Sequence, residues 1–309
     1  MKKIKKIWLA GHRGLVGSAI LRSLKLRNYE IITATSTNLD LRNKIKVNNF
    51  IKNNSPDLVI LSAGKVGGIM ANSTQPLSFL YDNLSIISNV IKCSYDNNIR
   101  NVIYLGSSCI YPNNFKTKIN EDMLLTGKLE KTNEWYALAK IVGVKLCEAI
   151  SKNKGFNYIS VMPTNVYGPN DNFHPTQSHV MPALIRRFIE AKKNNNEEII
   201  IWGTGKPKRE FIHSYDLAEA IMYIMEKNFK GNIINVGVGH DLRILDLVNI
   251  LKKLTNFKGK ITFDHSKPDG TFRKLLDISK IKSLGWNYKI ELKDGIFSTI
   301  NWYENKYLN

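Results

Sequence analysis

Cysteine is scarce in this chain of 309 residues: Cys93, Cys109 and Cys147 are the full set, with no Cys-x-x-Cys pair among them. An odd, widely spaced set argues against a disulfide framework or a cysteine-based zinc site and fits reduced thiols. Cys93 and Cys147 sit in helical patterns among apolar residues, where a buried inert thiol is expected. The histidines show no metal-ligand spacing, so no metal is expected. Long apolar runs are also missing. No stretch approaches the roughly 18 to 20 residues that span a bilayer, and the lysine-rich opening passes directly into a short run ending at Ala10, without a signal-peptide pattern. These absences point to a soluble, cytoplasmic protein with no membrane partner. Acidic residues are few, 26 against 45 Lys plus Arg, giving a formal net charge of +19. The basic residues are spread along the chain without an aromatic-interleaved motif, so no nucleic-acid partner is expected. The field would instead draw in an anionic small ligand such as a diphosphate.

Apolar runs alternate with helical patterns from the start of the chain. Ile7–Ala10, Ile31–Ala34, Leu58–Ser62, Val102–Leu105 and Tyr158–Met162 read as strands, and Leu15–Leu26, Asn43–Ile51, Ser78–Cys93 and Glu134–Lys152 as helices. Strands that are apolar throughout and alternate with helices make a parallel sheet covered on both faces. The expected fold class is α/β: a doubly wound, Rossmann-like dinucleotide-binding domain over residues 1–165. After Pro163 the prolines mark longer connections, and Ile199–Trp202, Asn232–Val236, Leu242–Leu254 and Ile261–Asp264 suggest a smaller mixed α/β lobe. Residues 166–309 are therefore expected to form mainly a substrate lobe, with later segments returning to the first domain.

The segment Gly11-His12-Arg13-Gly14-Leu15-Val16-Gly17 has Gly-x-x-Gly-x-x-Gly spacing after a strand and at the start of a helix. Glycines there permit a tight turn and close approach of a pyrophosphate to the helix N-terminus, which marks these residues as a dinucleotide loop. The second strand ends Thr33-Ala34-Thr35-Ser36, with no carboxylate to bind a ribose 2′-hydroxyl. That absence leans toward NADP, with Arg13 as partner for the 2′-phosphate and Thr35 and Ser36 as lesser donors. Asp40 is placed either to accept from an adenine amino group or to cap the next helix.

Tyr136 and Lys140 are one helical turn apart and project from one face. An ammonium there lowers the phenol's pKa and can hold ribose hydroxyls, while the phenol donates a proton to an oxygen gaining charge. Ser107 leaves the fourth strand at its C-terminal end and can polarise the same carbonyl. Cys109, two residues on, reads alone as readily as a small buried thiol at a strand end. As a thiolate near neutral pH it would serve as a base, provided cationic neighbours lower its pKa. His179 alone reads as a residue ahead of a helix beginning near Val180, and its ordinary pKa suits proton return.

These stretches resemble the extended short-chain dehydrogenase/reductase family, and within it the enzymes that epimerise and then reduce a GDP-4-keto-6-deoxymannose. The likeness is carried by Gly11–Ser18, Lys65–Gly68, Gly106–Pro112, Tyr136–Gly143, Val161–Asn165 with Tyr167–Pro169, Asp171–Pro175, Ser178–His179, Arg186–Phe188, Arg209–Phe211, and Ser266–Gly270 with Arg273–Asp277. It implies NADPH-dependent 4-reduction by Ser107, Tyr136 and Lys140, and 3,5-epimerisation by Cys109 and His179 as base and acid. It also implies that Leu105, Gly106, Ser107, Ser108, Lys140, Pro163, Thr164, Asn165, Val166 and His179 line the cofactor. Arg187, Trp202, Arg209 and Asp269 would hold the GDP-sugar, and the protein would be a homodimer. A related reading is a synthase of the colitose type acting on another GDP-4-keto-deoxyhexose. One departure is the lack of an arginine near Ser36, where this family usually has one. The related 4,6-dehydratases carry Thr-Asp-Glu where this chain has Ser107-Ser108-Cys109, so water elimination is disfavoured.

Overall fold

The computed structural model describes residues 4–113, 115, 117–267 and 269–308; Pro268, within the Ser266–Gly270 motif, lies outside them. The first half alternates strand and helix: β1 (Lys6–Ala10), α1 (Leu15–Lys25), β2 (Glu30–Ile32), α2 (Lys44–Asn54) and β3 (Leu58–Leu61). It continues with α3 (Ile69–Thr74), α4 (Pro76–Asp96), β4 (Asn101–Leu105), α5 (Glu134–Lys154) and β5 (Asn157–Pro163). Then come β6 (Asn165–Tyr167), α6 (Val180–Lys193), β7 (Glu198–Trp202), β8 (Lys208–Arg209), β9 (Phe211–His213), α7 (Ser214–Glu226) and β10 (Ile233–Val236). The chain ends with β11 (Leu242–Arg243), α8 (Ile244–Leu254), β12 (Lys260–Asp264), β13 (Arg273–Lys274), α9 (Ser279–Ser283) and α10 (Leu292–Tyr307).

Six strands form one parallel sheet in the order β10-β5-β4-β3-β1-β2. Its middle strands are buried because helices cover both faces, which is why their sequences carry no polar alternation. The edge strand β2 is shorter than expected, pairing with β1 only from Glu30 to Ile32 before Thr33 leaves the sheet. Strand β10 closes the other edge by pairing with β5, so the chain does return to the first sheet after residue 231.

Two hydrophobic cores result. The larger packs around the sheet and takes in α7 and α9 through Leu217, Ile221 and Ile281. The smaller unites α6, α8 and α10 through Phe188, Leu247, Leu251, Ile296 and Ile300. It is flanked by the parallel pair β7–β12, whereas β11-β8-β13 and β6–β9 form small sheets between segments. The expected single element Leu242–Leu254 divides into β11 and α8. Helices α3, α7, α9 and α10 were not anticipated, although Ile296, Ile300 and Tyr303 of α10 follow helical spacing. Among the described residues no helix is long and apolar enough to cross a membrane.

Candidate active site

Because the sheet is parallel, β1, β3, β4 and β5 all end at one edge, and the anticipated site residues gather there. Gly11 follows β1 with φ of 96°, and a Cβ on it would lie 2.5 Å from the backbone nitrogen of Ala63 beyond β3. A Cβ on Gly17 would collide with the carbonyl of Gly11, so this glycine lets α1 begin directly against the turn. Gly14 differs: it is the N-cap of α1, makes no side-chain cap, and a Cβ there would meet nothing closer than 3.8 Å. Its missing side chain leaves the helix N-terminus open to an anion, which fits a dinucleotide pyrophosphate. Arg13 beside it is exposed, with no hydrogen bond or ion pair among the described residues. The buried Nδ1 of His12 has no hydrogen-bond partner among the described residues. Burial, then Arg13, pushes the His12 pKa down.

Beyond β2, the Thr35 hydroxyl meets that of Thr37 at 2.7 Å. Asp40 does not cap α2. Its carboxylate binds the Arg42 side chain and the Arg42 amide, while Asn43 caps α2 by accepting from the Lys46 amide.

The reductive cluster is assembled by packing. Gly143, two turns along α5 from Tyr136, has no room for a Cβ against the Tyr104 ring of β4, so helix and strand lie close. That approach carries Lys140 into the interior, 4 % exposed, where its Nζ donates to the Leu105 carbonyl at 2.7 Å. The same ammonium lies 5.6 Å from the centroid of the half-buried Tyr136 ring. Ser107, in extended conformation after β4, accepts from the Cys109 amide at 3.3 Å, and a short 3-10 turn then folds Cys109 inward. Burial moves every titration here toward the neutral form. It lowers the Lys140 pKa to about 8, against a partial rise from Cys109. It raises Tyr136 well above the ordinary phenol range, with Cys109 adding to the rise, so the expected lowering by lysine is not found. Cys109 is raised as well: burial exceeds the opposing pull of Lys274, the Ser107 hydroxyl and Lys140. The cationic neighbours required for a thiolate are present, but the thiol is protonated at neutral pH in the free protein.

His179 occupies the N-cap of α6, yet its side chain caps nothing. It stands exposed at the cleft, and crowding by protein atoms pushes its pKa down through desolvation. The segment before it is fastened beside the reductive cluster. The Gly68 amide donates to the Gln177 carbonyl at 2.9 Å, the neighbouring Gly67 lies against Phe79, and Phe79 packs edge-on to Tyr136 with centroids 6.4 Å apart.

The four residues expected to hold a nucleotide sugar come together on the second core's side of the cleft. Arg187 donates to the Ile200 carbonyl at 3.1 Å and lies 5.8 Å from the Trp202 ring, which is 52 % exposed. Asp269 accepts from the Thr204 amide at 2.6 Å and the Thr204 hydroxyl at 2.7 Å, which ties it to the turn after Trp202. Arg209 lies within electrostatic reach of Asp269 and Glu130, and its pKa is lowered chiefly by burial. Three further residues belong to this lining. Lys267 is 5.8 Å from the Trp202 ring, Glu130 accepts from Thr271 at 2.9 Å, and Lys274 faces the charges of Cys109, Arg209 and Glu130. Lys274 sits in the Arg273–Asp277 motif, but only the folded chain brings it beside Cys109. On the cofactor side, Asn165 and Thr164 both donate to the Glu210 carbonyl, at 2.8 and 3.2 Å. No cluster of three or more metal-ligating side chains occurs among the described residues.

Comparison with known proteins follows the same lines. Putative GDP-L-fucose synthase 2 of Arabidopsis thaliana is 50 % identical over 98 % of this chain and 93 % of its own length. The GDP-L-colitose synthase of Yersinia pseudotuberculosis is 41 % identical over 97 % of this chain and 98 % of its own. The crystal structure of a GDP-L-fucose synthetase from Naegleria fowleri bound to NADP superposes with a TM-score of 0.89 at 28 % identity, covering 100 % of this chain and 95 % of that one. Residues 7–237 match the NAD dependent epimerase/dehydratase family, and with the parallel sheet, glycine turn and Ser-Tyr-Lys cluster in place, the chain belongs to that family.

Proposed function

We propose that this protein converts GDP-4-keto-6-deoxy-D-mannose to GDP-L-fucose by 3,5-epimerisation followed by NADPH-dependent reduction at C-4. The observation that carries this reading is Cys109, folded inward between Ser107 and the Tyr136–Lys140 pair and facing two lysines. A reductase alone has no use for a thiol beside its proton donor; an enzyme that also moves protons on carbon does. The reading is supported by the names of the relatives above.

NADPH supplies the hydride for C-4 when bound. The glycine turn and α1 N-terminus receive its pyrophosphate, and Arg13 is the cation for the 2′-phosphate in place of an arginine near Ser36. Pro163–Val166 and Leu105–Ser108, at the ends of β5 and β4, border the same space. Lys140 holds ribose hydroxyls. Ser107 and the neutral Tyr136 phenol donate to the C-4 oxygen, first stabilising the enolate formed when a proton leaves C-3 or C-5, then protonating the alkoxide. A raised phenol pKa suits this work, because the group must be protonated to give.

Burial leaves Cys109 a thiol, and crowding by protein atoms leaves His179 a neutral imidazole. The form that removes and returns ring protons is the minority pair, thiolate and imidazolium, and Lys274 and Lys140 favour its anion. Arg187 and Arg209 grip the diphosphate, Trp202 offers a flat face to guanine, and Asp269 binds a hydroxyl with lone pairs left over from Thr204. The second core is thus the substrate lobe.

Leu77 and Tyr81 of α4 and Trp135, Leu138 and Val142 of α5 leave apolar surface exposed on two helices packed together. A second copy of the chain covers them in this reading, which light scattering would check. The three free, buried thiols accord with a reducing cytoplasm. The test of function is incubation with GDP-4-keto-6-deoxymannose and NADPH or NADH, followed by identification of the sugar. GDP-L-fucose with a preference for NADPH is expected; accumulation of a 4-reduced sugar with unaltered C-3 and C-5 would overturn the reading. Turnover confined to a 3,6-dideoxy substrate would favour the colitose alternative, motivated by the Yersinia relative.

A further inference from the structure

Glu210 is wholly buried and has no cationic partner among the described residues. Its carboxylate is held chiefly by backbone amides, with a further side-chain contribution from Thr164. Oε1 accepts from the amides of Val238 and Gly239, both at 2.7 Å, and Oε2 accepts from the Leu276 amide at 3.0 Å. A buried carboxylate is costly unless its hydrogen bonds do something a neutral group cannot. An amide in its place would offer one acceptor oxygen and turn two N–H groups toward a backbone N–H, so one arm of the clip would be lost.

The two arms hold different things. Oε1 grips the turn that leaves β10 at the sheet edge. Oε2 grips the segment carrying Lys274, on the side toward Leu276; the other side is tied by the Arg273–Asp241 ion pair at 2.6 Å and the pairing with Arg209, and beyond Leu276 the chain is held by Ile119 and by Asn235, which donates to the Asp277 carbonyl at 3.2 Å. Lys274 makes no hydrogen bond or ion pair among the described residues, although burial presses its pKa down. A desolvated ammonium left unpaired beside a thiol needs a frame to keep it there, since otherwise it would turn to solvent.

We propose that Glu210 is a positioning residue that holds Lys274 against Cys109, so that the buried carboxylate sets the electrostatics of the proton-moving thiol without touching substrate. This rests on Cys109 acting as the base in the proposed reaction. The charged and titratable groups facing Cys109 are Lys274 from β13, Lys140 and Tyr136 from α5, and Tyr104 from β4. Glu210 acts on the first of these alone.

Because the active pair is the minority one, each unit by which the thiol pKa rises should lower the pH-independent exchange rate about tenfold. Glu210→Gln and Lys274→Met should therefore share one signature. The Cys109 pKa, followed by NMR of Cβ-13C-labelled cysteine and assigned with Cys109→Ser, should move up by roughly one unit in each. Deuterium uptake at the ring carbons should fall about tenfold while NADPH affinity holds, and the double variant should be no worse than either single one. Glu210→Asp, which keeps the charge at shorter reach, should restore part of the shift. An unchanged thiol titration in Glu210→Gln, or additive effects in the double variant, overturns the proposal. So does failure of both Glu210 variants to fold, which would make Glu210 a folding residue only. The thiol titration needs no substrate, so it remains readable if Cys109→Ser retains exchange and the base assignment itself fails.

Discussion

The two walls of the cleft are built differently. On the sheet side, Lys140 is 4 % exposed, Cys109 6 %, and each is held by groups from the same core. On the other side, Trp202 is 52 % exposed and Asp269 and His179 stand open to solvent, carried by segments around the second core. The first wall is set before any ligand arrives, and its burial shifts each titration toward the neutral form. The second presents cations and a flat ring whose contacts the proposed nucleotide sugar would complete. In the proposed reaction the thiol and the reducing groups sit where the surroundings are fixed, whereas His179 and the groups proposed to hold the nucleotide sit on the open side.

Substitutions should separate the two walls. Tyr136→Phe should lower NADPH oxidation by about 10² to 10⁴-fold, the usual worth of a positioned proton donor, while ring-proton exchange persists at a reduced rate; stopped-flow absorbance and NMR in deuterium oxide check both arms. Cys109→Ser should remove deuterium uptake at C-3 and C-5 by roughly 10² to 10³-fold and leave NADPH affinity unchanged by fluorescence titration. On the opposite wall, Arg187→Met should cost about 1 to 3 kcal/mol in kcat/KM, mostly through KM, because it removes a charge-assisted donor remote from the groups that face the thiol.

The pH profile distinguishes the walls more gently. With His179 pushed down and Cys109 pushed up, exchange should show a plateau broader than the interval between ordinary histidine and cysteine pKa values. A narrower bell would contradict the assignment. The smallest effect is on stability. Burial raises Asp171 to about 7, and one of its oxygens has no partner. A raised carboxyl stabilises the fold most below its ordinary pKa and loses that contribution as pH climbs through 7. Asp171→Asn should therefore gain on the parent by about 1 to 2 kcal/mol in urea unfolding between pH 4.5 and 8.

The first wall was the more legible in the sequence. Its strands are apolar on both faces, and its glycines, serine, tyrosine and lysine lie in short segments whose spacing has one geometrical reading. Edge strand β2 read too long because Thr33 extends the β-branched run of Ile31 and Ile32 without a pairing partner. Asp40 does not cap α2 because Arg42, two residues on, engages its carboxylate and Asn43 takes the cap. The second wall depends on contacts distant in the chain. Nothing local marks Lys274 as a neighbour of Cys109, or Thr204 as the partner of Asp269. Even the thiol's protonation was hidden, since the sequence shows the lysines but not the depth at which they act.

The central claim is that one site first moves protons on carbon and then reduces. Running the reaction to completion in deuterium oxide with NADPH, and locating the label by NMR, tests it most directly. The account predicts deuterium at C-3 and C-5 and protium at C-4 of the product; a product with protium at all three carbons would contradict it.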